Sequence, residues 1–304
     1  MKSDHLKETS LRYFLEVARC GSISVASERL FVAASAISRQ ISSLEQVLEV
    51  QLFERRPRGM VLSAAGEVLA AHARRSALEA DRVVADILAL QGLHKGQVSL
   101  ACTEGFAIDF LPRLIIDFQQ RYPGIHFSLN VVGPADVSEM VRNGDVDIGL
   151  TFNRLAQKEI KVEHRQTAPV MVIMRPDHPL ARSKSITLNQ LAAYPLALPT
   201  AENSLRQIFD IACSRVGLVI EPHVASNCAT ALHRFVLSGG IASVAGEVSV
   251  RRFVADGTMV AVPLRERHLD SRNIELQTLV GRTLPGVVKT FLDYIKGRLG
   301  DAEV

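Results

Sequence analysis

The fold is decided by residues 22–66, which read SISVASERLFVAASAISRQISSLEQVLEVQLFERRPRGMVLSAAG. Apolar residues recur in this stretch with the period of about 3.6 that an amphipathic helix shows. These positions are Val25, Ala26 and Leu30 in a first segment, and Ile37, Ile41, Leu44 and Leu48 in a second. Ser24 and Ser35 stand at the start of the two segments, and serine is a favoured N-cap residue. The stretch therefore predicts two short helices joined by a turn, with Ser24 and Ser35 as caps.

The second predicted helix has a narrow polar face opposite its apolar one. That face carries Ala36, Ser38, Arg39, Gln40 and Ser43. Short side chains that form hydrogen bonds let the edge of a helix approach the base edges in a DNA groove. The same face also suits a helix of a small bundle that meets only solvent. On this helix alone, the solvent-facing interpretation is favoured.

The residues that follow predict a β-hairpin with a basic tip. Residues 51–53 form an apolar anchor, residues 54–60 a polar turn with proline and glycine, and residues 61–62 a returning strand. The arginines of the turn are Arg55, Arg56 and Arg58. Their charges can neutralise neighbouring phosphates. Helices, turn and arginine-bearing hairpin together predict a winged helix-turn-helix, which favours DNA binding.

The N-terminal sequence resembles the DNA-binding domain of the LysR-type transcriptional regulators. The matching residues are Leu11-Arg12-Tyr13-Phe14, Gly21-Ser22, Ala26 with Leu30, Ala36-Ile37-Ser38-Arg39-Gln40-Ile41, Leu44-Glu45, Leu52-Phe53-Glu54-Arg55 and Leu62-Ser63-Ala64-Ala65-Gly66. The resemblance implies a sequence-specific regulator of promoter DNA whose DNA binding or bending is controlled by a small-molecule effector. It also implies DNA contacts by the start of the recognition helix and by the wing. The residues so predicted are Ala34, Ser35, Ser38, Arg39, Arg55, Arg56 and Arg58.

Four positions depart from the family pattern. Ala34 and Ser35 stand where the family often has glutamine followed by proline, so one commonly used base contact is missing. Glu49 replaces a usual glycine, and Ser63 replaces a frequent threonine. These departures leave the predicted fold unchanged, but an operator sequence does not transfer from the family.

Residues 64–91 predict one long helix without proline. A heptad seam runs along it, with small residues in its middle that would let two such helices approach closely. The seam is Leu69, Ala73, Ser76, Ala80, Val83, Ile87 and Leu90. A seam without a partner in its own domain predicts a dimer, and the resemblance implies an antiparallel pair of linker helices and a tetramer beyond it. The alternative is an amphipathic helix packed on the chain's own second domain.

Beyond residue 96 the pattern changes to alternating strands and helices, which predicts a parallel, doubly wound α/β architecture. Ser204 with Gln207 reads as a capping box, and strands are expected near 220–224 and 274–280. The resemblance implies a periplasmic-binding-protein-like effector domain of two Rossmann-like subdomains. The predicted domains are 1–63 for DNA binding, 64–92 for the linker helix and 93–304 for the effector. The effector domain would divide into subdomain I, about 96–167 and 269–304, and subdomain II, about 168–268.

Short polar residues follow several predicted strands of this second half. Strand ends and helix starts meet at a cleft in such folds, where free backbone N–H groups favour anions. The candidate effector-binding residues are Thr103, Glu104, Thr151, Phe152, Thr200, Ser204 and Asn227. They suit a small polar or carboxylate metabolite, although Glu104 argues against a strongly anionic one. Each residue alone is equally typical of ordinary caps and turns.

Composition limits the other classes of function. The chain has 304 residues and a net charge of +3, with 47% apolar residues, which is typical of a globular protein of two or three domains. The four cysteines and nine histidines show no spacing typical of metal sites, so no metal or other cofactor is expected, and most histidines are expected at the surface. No signal peptide, membrane segment or nucleotide or hydrolase motif is found, which predicts a cytoplasmic protein that is not an enzyme. A solute-binding protein and a doubly wound enzyme remain the alternatives; RNA polymerase is a further candidate partner.

Overall fold

The computed structural model of the chain describes residues 9–56, 59–90, 96–153, 157–266 and 273–300. These residues fall into two compact units. The first comprises Met1–Gly96 with Gly281–Lys289, and the second comprises Gln97–Val280 with Thr290–Val304. The predicted boundary at residue 92 and the side chain of Arg58 lie outside the described residues. None of the helices within these ranges is both long and apolar enough to cross a membrane.

Helices and a two-stranded hairpin surround one apolar core in the first unit. The elements in chain order are α1 (Thr9–Cys20), α2 (Ile23–Leu30), α3 (Ala34–Leu48), β1 (Phe53–Arg56), β2 (Gly59–Leu62) and α4 (Ala64–Leu90). Phe14, Ile37 and Leu52 are fully buried, and the rings of Phe14 and Phe53 lie 5.2 Å apart. Burial of these side chains holds α1, α3 and the hairpin together. The predicted winged helix-turn-helix is confirmed.

Both predicted serine caps in this unit are wrong. The cap of α2 is Ser22, whose hydroxyl accepts a hydrogen bond from the Val25 N–H at 3.4 Å. The cap position of α3 is Ala33, and its side chain makes no cap hydrogen bond. The Ala33 carbonyl already accepts helical hydrogen bonds from the N–H groups of residues 36 and 37. Ser35 therefore lies inside the first turn, beyond the position from which a hydroxyl caps a helix.

Ser63 joins the hairpin to the start of α4. Its N–H donates to the Leu52 carbonyl at 3.0 Å, and its hydroxyl donates to the Gln51 carbonyl at 2.7 Å. The same hydroxyl accepts a hydrogen bond from the Gly66 N–H at 3.0 Å. A side chain at Gly66 would run into the carbonyl oxygen of Leu52. Only glycine therefore fits where α4 passes the Leu52 carbonyl.

The second unit contains two five-stranded sheets. The strands in chain order are β3 (Gly96–Cys102), β4 (Ile125–Val131), β5 (Ile148–Asn153), β6 (Ile160–Thr167), β7 (Val170–Met174), β8 (Leu196–Pro199), β9 (Val224–Ser226), β10 (Ala242–Gly246), β11 (Val260–Pro263) and β12 (Asn273–Leu279). One sheet has the order β4-β3-β5-β12-β6, and the other has the order β11-β7-β10-β8-β9. The chain thus leaves the first sheet after β6 and returns to it with β12.

Helices cover these sheets and start at several strand ends. They are α5 (Glu104–Ala107), α6 (Phe110–Arg121), α7 (Pro134–Asn143), α8 (Leu188–Leu191), α9 (Ser204–Arg215), α10 (Ala229–Ser238), α11 (Arg251–Ala255) and α12 (Gly286–Gly300), with a short 3-10 helix at Glu247–Ser249. The apolar core of the second sheet includes Val172, Leu198 and Phe209. The α/β architecture with two sheets and two chain crossings is as predicted.

Three details of this unit differ from the prediction. The sheets are mixed rather than parallel: β12 runs antiparallel to β5 and β6, because it enters from the other sheet instead of through a crossover helix. The strand expected at 220–224 is β9, at Val224–Ser226. The capping box at Ser204 is wrong, because α9 is capped by the Asn203 side chain, which accepts a hydrogen bond from the Leu205 N–H at 2.9 Å.

Two glycine-to-alanine substitutions within helices are expected to have opposite effects. Gly66→Ala should lower the free energy of unfolding by about 1–3 kcal/mol, because its methyl group collides with backbone. Gly297→Ala should raise it by about 0.5–1 kcal/mol, because Gly297 lies in α12 with open space around its Cα. Urea denaturation of both variants against the wild type measures the difference. Equal effects of the two changes would contradict the close approach at Gly66.

Candidate nucleic-acid interface and effector cleft

Helix α3 turns the predicted base-reading residues towards solvent. Ile37 and Ile41 are buried on its inner side. The residues predicted to contact DNA from this helix, Ala34, Ser35, Ser38 and Arg39, are all exposed. The Arg39 Nε donates a long hydrogen bond of 3.4 Å to the Ser35 carbonyl. The guanidinium therefore lies along the first turn of α3, where solvent can replace its contact.

The hairpin carries the predicted basic residues beside α3. β1 and β2 pair antiparallel, with Arg55 opposite Met60 and Arg56 opposite Gly59. The Arg56 side chain is 60% exposed and forms an ion pair with Glu54 at 3.0 Å. Exposed ion pairs contribute little to stability, so Arg56 can exchange this partner for a phosphate at small cost. The side chains of Arg55 and Arg58 lie outside the described residues.

The predicted seam of α4 is covered at its N-terminal end. Leu69 packs against the core of the first unit, and Ala73 is only 2% exposed. This part of the seam has a partner in its own unit, contrary to the prediction, because the first turns of α4 complete the core around α1. Further along, Ser76 is exposed and Ile87 is 50% exposed. The side chain of Leu90 is not among those described.

A cavity of about 530 Å³ lies at the strand ends of the second unit. Five of the seven predicted effector residues line it: Thr103, Glu104, Phe152, Ser204 and Asn227. Residues from both sheets contribute to its wall. A volume of this size suits a small metabolite.

Thr151 and Thr200 lie beside the cavity rather than among its lining residues. Thr151 is fully buried and points to the opposite face of β5 from Phe152, because side chains alternate along a strand. The Thr200 N–H donates to the Ser226 carbonyl at 3.1 Å. That bond ties the end of β8 to the end of β9.

Phe152, which lines the cavity, is backed by a second aromatic ring. The Phe106 and Phe152 rings are stacked, with centroids 4.6 Å apart and an angle of 20° between their planes. Phe106 is fully buried and Phe152 is 6% exposed. Stacked, buried rings give a ligand a flat and rigid surface to contact.

Glu104 binds the start of α10 across the cavity. Glu104 follows β3 of the first sheet, whereas α10 packs on the second sheet. Its Oε2 accepts a hydrogen bond from the Ala229 N–H at 2.8 Å, and its Oε1 accepts one from the Thr230 N–H at 3.3 Å. The cap residue of α10, Cys228, makes no side-chain cap hydrogen bond to the helix. The carboxylate of a residue distant in sequence therefore caps α10 and complements its dipole.

Several lining residues were missed by the sequence analysis. They are Gly133, Pro134, Ala135, Glu202, Asn203 and His233. His233 is only 3% exposed, an exception to the expectation that most histidines lie at the surface. It lies four residues after Ala229, so its place on the same face of α10 follows from the helical period. The helical spacing of Ala229 and His233 is visible in the sequence. It indicates that His233 lies at the cavity only once the residue at which α10 begins is known.

Two polar groups on this wall lack hydrogen-bond partners among the described residues. They are the Thr103 hydroxyl and Nδ1 of His233, and both are buried. Burial lowers the pKa of His233 to about 4, against a smaller opposing effect of the Glu104 charge. The imidazole is therefore neutral at physiological pH and can accept or donate one hydrogen bond at each nitrogen.

The Cys102 thiol at the end of β3 is not activated. All four are free, and Cys102 is buried. Burial raises the pKa of the Cys102 thiol to about 12, which disfavours the nucleophilic thiolate. Among the described residues, no cluster of histidine, cysteine, aspartate and glutamate could hold a metal ion.

An exposed polar helix beside a basic hairpin, together with a separate unit that encloses a metabolite-sized cavity, defines a DNA-binding regulator with a ligand-binding domain. Two protein-family profiles match the chain accordingly. Residues 9–67 match the bacterial regulatory helix-turn-helix protein of the lysR family, and residues 91–300 match the LysR substrate binding domain. The chain belongs to the LysR family of transcriptional regulators.

Individual relatives agree with this assignment. The chain is 31% identical over 238 residues to the RuBisCO operon transcriptional regulator of Allochromatium vinosum, covering 77% of this chain and 78% of that protein. It is 28% identical to the transcriptional activator CmpR of a Synechocystis strain, covering 93% of this chain and 92% of that one. Its fold is similar to full-length OxyR from Pseudomonas aeruginosa, with a TM-score of 0.69, 20% identity and coverage of 95% and 94%.

The buried His233 is expected to make stability depend on pH. Its pKa is lowered from 6.5 to about 4 in the folded chain, so unfolding takes up a proton between these values. Its contribution is complete above pH 6.5, and about 3 kcal/mol is lost as the pH falls towards 4. Urea denaturation across this range should therefore show a shallower pH dependence in His233→Leu than in the wild type.

The exposed His126 on β4 provides the control for this measurement. His126→Leu removes an exposed imidazole and shows how much of any change comes from the loss of a histidine alone. A pH dependence of His233→Leu as steep as that of the wild type would contradict a neutral, buried imidazole at this position.

Proposed function

We propose that this LysR-family regulator reads its operator with α3 and the hairpin, and that an effector in the cavity changes how its paired heads meet DNA. Ser38 and Arg39, with the preceding Ala34 and Ser35, would face base edges in the major groove. Arg55, Arg56 and Arg58 would contact the backbone or the minor groove. The proposed effector is a small polar metabolite, and carboxylate metabolites are among the candidates.

The observation that carries this proposal is that α3 is buried on one side and exposed on the other. Its inner isoleucines fix the helix on the core, so its polar face has a defined direction. Polar residues on an exposed, anchored helix can hold hydrogen bonds to bases without reordering the protein on binding. The fold is also similar to that of full-length CbnR, with a TM-score of 0.53 and 22% identity. That structure was determined in complex with its target DNA.

Effector control follows from unequal affinity of the effector for two arrangements of the protein. A ligand shifts an equilibrium only by the difference between its affinities for the two states. The cavity wall is drawn from two sheets that the chain joins at two crossings, so a ligand can favour one arrangement of the sheets over another. That difference would reach DNA as a change in spacing or angle of the heads.

The proposed regulator is a homo-oligomer that acts in the cytoplasm. The exposed portion of the α4 seam, around Ile87, supports a dimer through the linker helix, and a tetramer is the further assembly proposed. Action on promoter DNA places the protein in the cytoplasm, with RNA polymerase as a candidate partner. The names of the relatives describe regulators, which favours this function over an enzyme or a transport protein.

Arg39→Ala should weaken operator binding by about 1–3 kcal/mol, because one good base contact contributes that much to discrimination. The first measurement is a footprint of the wild-type protein on DNA flanking its own gene, repeated with candidate metabolites. Titration of the protected DNA then compares the affinities of the wild type and the variant.

Arg252→Ala is the matched control for this substitution. Arg252 is 51% exposed on α11 of the second unit, so its loss should leave operator affinity unchanged. Unchanged affinity in Arg39→Ala would count against α3 as the recognition helix. A wild-type protein that protects none of the flanking DNA would contradict the regulator function at this locus.

Ile87→Asp should weaken the homodimer at least about tenfold, because it places a charge in an apolar seam. The chain itself should still fold, since Ile87 is already half-exposed. Analytical ultracentrifugation measures the dissociation constant. Val68→Asp is the control, because Val68 is 73% exposed on the same helix and lies outside the seam. Equal dissociation constants in the two variants would argue against the seam.

A further inference from the structure

The structure points to Glu104 as the residue that sets the charge of the effector. Its carboxylate accepts hydrogen bonds from the first two N–H groups of α10. The N-terminus of a helix is an attractive position for an anion, because unpaired N–H groups and the helix dipole both favour negative charge. In this chain that position already holds the protein's own carboxylate.

The polar groups around Glu104 indicate a binding site in addition to a helix cap. Nδ1 of His233, on the same face of α10, is buried without a partner among the described residues, and so is the Thr103 hydroxyl beside Glu104. Both residues line the cavity. Buried polar groups without partners are costly, so a ligand that bonds to them gains what the free protein lacks.

The charge of the wall also opposes an anionic ligand. Among the described lining residues, the two carboxylates are Glu104 and Glu202. An anion that reached the start of α10 would have to displace Glu104 and then lie next to the released carboxylate. Like charges at such distances repel strongly where water is limited. A hydroxyl, amide or ammonium group meets no such barrier. Oε1 of Glu104 is already contacted by the Thr230 N–H and hydroxyl and by the Cys228 thiol. Oε2 accepts a hydrogen bond from the Ala229 N–H, and a carboxylate oxygen can accept a second one.

We propose that Glu104 is the specificity-determining residue of the cavity: it occupies the anion-binding end of α10 and selects a neutral or cationic effector that offers a hydrogen-bond donor to its carboxylate. This inference rests on the proposed function, since it names the ligand class of the same cleft. It narrows the polar or carboxylate metabolites of that proposal to those that bring no carboxylate or phosphate to α10.

Removal of the carboxylate tests this assignment directly. Glu104→Ala exposes the first N–H groups of α10 and leaves a space that propionate can fill. The thermal midpoint of the full-length variant should fall by about 2–4 °C, and added propionate should restore it. Propionamide, which has the same shape without the charge, should restore little. Wild-type protein should not respond to propionate, because the position is taken.

Two further variants keep the test decisive. Glu202→Ala removes the other carboxylate of the cavity and leaves the bonds between Glu104 and α10 in place, so it should behave as the wild type towards propionate. Glu104→Gln retains an acceptor oxygen for α10 and so protects folding if the alanine variant is unstable. Because the amide carries no charge, propionate should stabilise Glu104→Gln more than the wild type, and less than Glu104→Ala.

The outcomes separate this inference from the function on which it rests. Propionate that stabilises the wild type as much as Glu104→Ala and Glu104→Gln would overturn the assignment, because the position would not be occupied. Propionate that stabilises neither variant would also overturn it, because the released helix end would not bind anions. These measurements contain no DNA, whereas failure of the proposed function appears as an absent footprint.

Discussion

The cavity of the second unit depends on one constraint, which is that the chain passes between the two sheets only at β6 to β7 and again before β12. Each sheet therefore forms its own core, and the ends of strands from both sheets face a shared space. Helices begin at those ends, so their polar N-termini line the wall. The contact of Glu104 with α10 adds a noncovalent connection across this space. Unlike the two chain crossings, that connection lies in the wall of the cavity itself.

Much of the first unit could be predicted from sequence because its signals are local. The spacing of Ile37 and Ile41 determines which side of α3 is buried, and hence that Ser38 and Arg39 are exposed. The helix caps could not be predicted in the same way. Ser22, Ser24 and Ser35 are all acceptable caps by type, and the choice depends on where the preceding turn leaves the backbone. Ser22 follows Gly21 in a left-handed conformation with φ of 67°, which a residue pattern does not specify.

The alternation of strands and helices in the second unit could be predicted from sequence. The pairing of its strands was harder to predict. Strand β12 contacts β5 and β6 across more than a hundred residues of chain, and its direction depends on the return from the other sheet. The same limit applies to the cavity. Glu104 was identified as a polar residue after a strand, yet its partners at Ala229 and Thr230 are separated from it by 125 and 126 residues. Only the folded chain brings a carboxylate and a helix start together.

The bonds of Ser63 make the hairpin and α4 a single mechanical piece. One serine holds Gln51 and Leu52, just before β1, by two hydrogen bonds and the first turn of α4 by a third. Gly66 lets the helix lie against the Leu52 carbonyl. A rotation of α4 about its axis would therefore turn the hairpin with it. Under the proposed function, α4 would act as a lever 27 residues long, and a small tilt at its far end would move the hairpin against the DNA.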